Sequence, residues 1–140
     1  MSDLQCAATL LLVGHGDEGQ SREVGRSLGD RRVSMVYTSP APDAVQTAKI
    51  AAAELGVQVR VAEQLDEAST MAAALDSAAD LHRGETVLFV TARDAIRAAI
   101  SPLVPNGVPG DRPLGSCDVV EVAVDADGWV LRSWAGQPVG

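Results

Sequence analysis

Leu10-Leu11-Leu12-Val13-Gly14-His15-Gly16-Asp17 is an unbroken apolar run that stops on Gly-His-Gly and an acid. A continuous run bounded by glycine predicts a strand buried on both faces, as in parallel sheets covered by helices on either side. The strand is expected over Thr9 to Val13, with His15 just past its C-terminal end. Outward from it, Ser21 to Leu28 predicts a short helix ended by Gly29, and Val33 to Tyr37 a second strand. The next helix carries Pro40 and Pro42 near its start, with Ser39 or Ala41 at the cap. It repeats Ala44, Ala48, Ala51, Ala52 and Leu55 at helical spacing and ends at Gly56. Val57, Val59 and Val61 alternate as a third strand, and Ala68 to Leu81 reads as a helix with Met71, Leu75 and Ala78 on one stripe.

Thr86 to Val90 is a fourth apolar strand, followed by a helix over Asp94 to Ile100 with Ile96, Ala99 and Ile100 inward. Ser101 to Ser116, with Pro102, Pro105, Pro109 and Pro113 and three glycines, predicts an irregular loop. Val119 to Val124 and Trp129 to Trp134 predict a hairpin around Asp125-Ala126-Asp127-Gly128. Residues 136–140 read as a flexible tail. Strands alternating with helices imply one α/β domain over residues 1–140. Its expected form is three layers, α/β/α, around a mostly parallel central sheet.

The 140 residues suffice for a substantial core. Hydrophobic residues make up 46% but aromatics only 3%, so that core rests on Val, Leu, Ile and Ala. A net charge of −8 argues against nucleic acid or an anionic membrane as partner. Met1-Ser2-Asp3 lacks the basic start of a secretory leader, and no apolar run is long enough to span a bilayer. Cys6 and Cys117 lack metal spacing and read as thiols of a reducing compartment, so the expected location is the cytoplasm.

Two more segments carry chemistry. Tyr37-Thr38-Ser39-Pro40-Ala41-Pro42-Asp43-Ala44-Val45-Gln46-Thr47-Ala48 joins a strand to a helix, and Val87 to Ala98 joins another pair through Thr91-Ala92-Arg93. Together with the first stretch they resemble the histidine phosphatase (phosphoglycerate-mutase-like) superfamily. There the three segments read Leu-Val-Arg-His-Gly, Ser-Ser-Pro-Leu-x-Arg-Ala-x-Gln-Thr-Ala and Val-Ser-His-Gly-x-x-Ile-Arg-Ala. The resemblance implies the family's three-layer fold. It makes His15 the candidate nucleophile, and Gly14, Gly16, Asp17, Asp43, Ala92 and Arg93 the expected pocket lining. Glu67, in Leu65-Asp66-Glu67, is the candidate acid.

This sequence departs from the motifs where they matter most. Gly14 and Asp43 stand where the two arginines belong, and Ala92 where the second histidine belongs. In the family these groups meet the charge on the phosphoryl oxygens, which must be balanced by fixed donors in the transition state. At about 3 kcal/mol for each lost donor, three losses approach roughly 9 kcal/mol, or about a million-fold. Phosphatase or mutase turnover of the ordinary kind is therefore not expected.

Arg93 is one candidate substitute cation, although a first-turn arginine more often faces water. Arg97, one turn on, is expected to pack structurally. Asp17 and Glu18 are expected as solvated acids. A metal site from His15, Asp17 and His82 matches no ligand spacing, and His82 fits better as a cation at a helix C-terminus. No cofactor is implied. Three readings follow. The first is a non-catalytic ligand-binding or regulatory protein, with the loop of residues 101–116 and exposed Trp129 or Trp134 as contact surfaces for a small ligand or protein partner. The second is an enzyme using His15 as acid or base on a small non-phosphate substrate. The third is a weak phosphatase through phospho-His15.

Overall fold

A computed structural model describes residues 6–105 and 107–139. The apolar runs form β1 (Ala8–Gly14), β2 (Val33–Thr38), β3 (Val59–Val61) and β4 (Thr86–Thr91). Between and after them lie α1 (Glu18–Ser27), α2 (Pro42–Leu55), α3 (Ala68–Leu81) and α4 (Arg93–Ile100). The chain ends in β5 (Val120–Asp125), β6 (Gly128–Trp134) and β7 (Gln137–Pro138). The seven strands make one sheet in the order β3-β2-β4-β1-β5-β6-β7. β1 lies at its centre, parallel to β4, and β2 pairs in parallel with both β4 and β3. β5, β6 and β7 extend it antiparallel.

The pleat of β1 divides the core. Leu10 and Leu12 join Phe89, Met71, Leu75, Ile96 and Trp134 on the face covered by α3 and α4. Leu11 and Val13 join Val36, Leu88, Val90 and the alanines of α2 on the face covered by α1 and α2. All four of these β1 side chains are fully buried, which is why the run reads as continuous rather than alternating. The expected three-layer fold is thus the observed one.

Three local features differ from the sequence reading. α1 begins at Glu18, three residues early, because Asp17 caps it. The Asp17 carboxylate accepts from the Gln20 amide at 2.7 Å, and Gln20 returns a bond to the Asp17 amide at 3.0 Å. A 3₁₀ turn, Glu63–Asp66, leads into α3 and buries Leu65. The segment expected as a loose tail turns back at Ala135 and Gly136, both at positive φ, and pairs with β6. Gly140, at its end, lies outside the described residues.

α1 and α2 meet at a glycine. A Cβ on Gly25 would stand 2.8 Å from Glu54 Cβ and 3.0 Å from the Ala51 carbonyl oxygen. The backbone of α2 has nowhere to go without disturbing the sheet beneath. Gly25→Leu is therefore expected to destabilise the protein by about 1–3 kcal/mol in urea unfolding. Gly19→Ala, on the exposed side of the same helix, should stay within about 0.5 kcal/mol of the parent.

Candidate functional site

Strand register builds the site. Gly14 lies opposite Thr91 in the β1/β4 ladder, so the next residues, His15 and Ala92, leave the sheet side by side at its C-terminal edge. This edge is where open α/β sheets place ligands. A cavity of about 650 Å³ opens there. His15, Ala92, Arg93, Asp94 and Arg97 form one wall, and Gly110, Asp111, Pro113 and Leu114 of the proline-rich loop form the other.

That loop is fastened from below. Arg97 donates to the Pro109 carbonyl at 3.0 Å and to the Arg112 carbonyl, and its guanidinium lies 4.8 Å over the Trp134 ring. The Trp134 indole N–H donates to the same Arg112 carbonyl at 2.9 Å. Trp134, expected at the surface, is fully buried, because its ring completes the core under this loop. Trp129 is half-buried against the same cluster and lines a separate cavity of about 220 Å³ with Val104, Pro105 and Leu131. Arg97 has the structural use expected of it.

The turn after β1 is held just as firmly. The Gly16 amide donates to Thr47 Oγ1 at 3.1 Å, and the Thr47 hydroxyl lies 3.2 Å from the Gly16 carbonyl. Ser21 Oγ sits 3.0 Å from Thr47 Oγ1, and the Cys117 amide donates to the Gly14 carbonyl at 3.1 Å. A Cβ on Gly16 would meet Cys117 Sγ at 2.8 Å. Sequence gave no sign that Cys117, more than a hundred residues from β1, closes this turn. Burial pushes its thiol above the ordinary value, with the Ser21 hydrogen bond opposing and the Asp17 and Asp118 charges adding.

Gly14 itself serves a side chain. A Cβ there would stand 2.3 Å from Arg93 Cγ and 3.2 Å from Arg93 Cδ, because the Arg93 stem crosses the end of β1 at this point. Beyond the crossing Arg93 Nη1 donates to the Leu114 carbonyl at 3.2 Å. The sequence signal for this lies in the motifs already quoted. They have arginine at the position of Gly14 and glycine at the position of Arg93, the reverse of this chain.

Other expected lining residues lie elsewhere. Gly16 is turned into the Thr47 bracket, and Asp17 is spent on the α1 cap. Asp43 is exposed in the first turn of α2, a favourable place for an acid on a helix dipole, and does not line the cavity. Glu67 is exposed at the N-cap position of α3 without a side-chain cap bond and is not in the cavity wall either. His82 stands at the C-cap of α3, the helix C-terminus expected of it. It is buried, with Tyr37 Oη 2.7 Å from Nε2 and Glu85 Oε1 2.7 Å from Nδ1. A ring protonated on Nδ1 satisfies both partners. The neighbouring Glu85 carbonyl pairs with the Thr9 amide at the start of β1, so His82 stands at the opposite end of the sheet from His15.

The histidine phosphatase superfamily (branch 1) model matches residues 11–72. Comparison of the sequence with curated proteins found no match. The structure is similar to YhfR of Bacillus stearothermophilus, at TM-score 0.82 and 16% identity over 96% of this chain and 98% of that one. It is similar to the phosphoglycerate mutase of Bacillus anthracis, at TM-score 0.83 and 12% identity over 95% of each chain. A mycobacterial glucosyl-3-phosphoglycerate phosphatase, solved in complex with VO3, gives TM-score 0.78 and 15% identity over 90% and 98%. At these identities the likeness is one of fold. Among the described residues no helix is long and apolar enough to cross a membrane.

The thiol behind the His15 turn provides a check on this geometry. In a Cys6→Ser background, iodoacetamide should alkylate Cys117 more slowly in the folded than in the urea-unfolded protein near pH 8, since a raised pKa leaves less thiolate. The gap should narrow as pH rises past about 9. Faster labelling in the folded state would contradict the buried turn.

Proposed function

We propose that this chain, built on the histidine phosphatase fold, binds a small ligand in the cavity beside His15 and does not carry out ordinary phosphoryl transfer. The observation that carries this reading is Ala92. It stands next to His15 across the β1/β4 register and lines the same cavity, offering a methyl group where the reaction needs a donor. Asp43 brings no cation either, being an exposed acid at the start of α2. Two missing donors at about 3 kcal/mol each amount to roughly 6 kcal/mol, or about ten-thousand-fold, with non-additivity allowed for.

What remains favours binding. The walls are preformed, because Arg97, Trp134 and the Thr47 bracket fix both sides before any ligand arrives. The enzyme alternative, His15 as general acid or base, needs a group to hold the imidazole in one tautomer. Neither Glu67 nor Asp17 serves, and among the described residues His15 has no hydrogen-bond partner. Asp94 and Asp111 line the cavity without bonding to it. A regulatory or carrier role in the cytoplasm fits two free cysteines and the acidic charge, which also disfavours nucleic-acid partners.

Hydrolysis of p-nitrophenyl phosphate and phosphoglycerates should stay at background, and a generic phosphodonor should leave no acid-labile label on His15. Turnover at ordinary phosphatase rates, abolished by His15→Ala, would reject the reading.

A further inference from the structure

Positions 14 and 93 share the space of one side chain. A Cβ at 14 would overlap Arg93 Cγ at 2.3 Å, so a long stem at 14 and the present Arg93 exclude one another. Gly14 is not there for backbone freedom, since its φ lies outside the left-handed region. It is there to let the arginine pass. We propose that Arg93, reaching over Gly14 from the first turn of α4, is the cation of the pocket that holds a small oxyanion. This rests on the reading that the cavity beside His15 is the ligand site.

The assignment follows from where each cation in the wall spends its donors. Arg97 gives both terminal nitrogens to loop carbonyls and its face to Trp134. Arg93 gives one N–H to the Leu114 carbonyl and, among the described residues, pairs with no carboxylate. A guanidinium carries five N–H donors, so most of its fork is uncommitted. A carbonyl partner aims the fork without neutralising its charge, whereas a carboxylate would quench it. Asp94 and Asp111 line the same cavity, among the described residues neither forms an ion pair with Arg93, and His15 stands in the same wall. An oxyanion between Arg93 and His15 therefore meets a cation that a neutral carbonyl has positioned and that, among the described residues, no carboxylate neutralises.

The test is calorimetry on the full chain with inorganic phosphate and orthovanadate. The parent should bind at millimolar concentration or better, and Arg93→Gln should weaken binding by about tenfold or more. The double exchange Gly14→Arg with Arg93→Gly, which leaves net charge unchanged, should restore affinity to near the parent value. Gly14→Ala alone should weaken binding as Arg93→Gln does, because it closes the passage. Imidazole NMR resonances of His15, and not of His82, should move on titration. No binding by the parent, binding indifferent to Arg93→Gln, or resonances that move at His82 alone would each overturn the proposal. If the double exchange fails to fold, Arg93→Gln at an exposed side chain still decides. Hydrolysis of phosphate esters would reject the binding-only reading while leaving the role of Arg93 intact. Loss of Arg93 dependence would reject this inference alone.

Discussion

The parallel pairing of β1 with β4 is the constraint on which the rest depends. Both strands are buried on two faces, so a slip of one residue would turn Leu10 and Leu12 toward α1 and α2 and unpack both core layers. The register is thereby fixed, and with it the exit of His15 beside Ala92. Every feature of the pocket hangs from that adjacency. α4 starts at Arg93 because β4 ends at Thr91, and the arginine stem reaches β1 because β1 ends there in glycine.

Most of the fold was legible because the apolar periods agree with the elements they form. The stripe Met71, Leu75, Ala78 and the triplet Ile96, Ala99, Ile100 are buried as their spacing requires. The site was less legible, since contacts across long sequence separations have no local signal. Nothing near Trp134 announces that it seals the loop 22 residues upstream, nor does the sequence around Cys117 announce its bond to Gly14. The places of Asp17 and Glu67 are illegible for a simpler reason. Acids beside a glycine or at a helix start look alike whether they face a ligand, cap a helix or face water.

Motif comparison position by position counts Gly14 as a loss. Packing gives another account, in which a glycine and an arginine have changed places across two strand ends. Charge can then reach the same cavity from a different backbone position. Ala92 has no such counterpart, since none of the remaining lining residues supplies a second imidazole. On the proposed reading, a pocket that keeps one guanidinium and one histidine holds an anion without the ring of donors that stabilises a transferring phosphoryl group. On that reading binding and catalysis separate at Ala92.

A crystal structure of the protein soaked with orthovanadate tests that separation most directly. The account predicts tetrahedral vanadate in the cavity, hydrogen-bonded to the Arg93 guanidinium and beside His15, with no bond from vanadium to the imidazole. Five-coordinate vanadate bonded to a His15 ring nitrogen, or vanadate absent from this cavity, would contradict it.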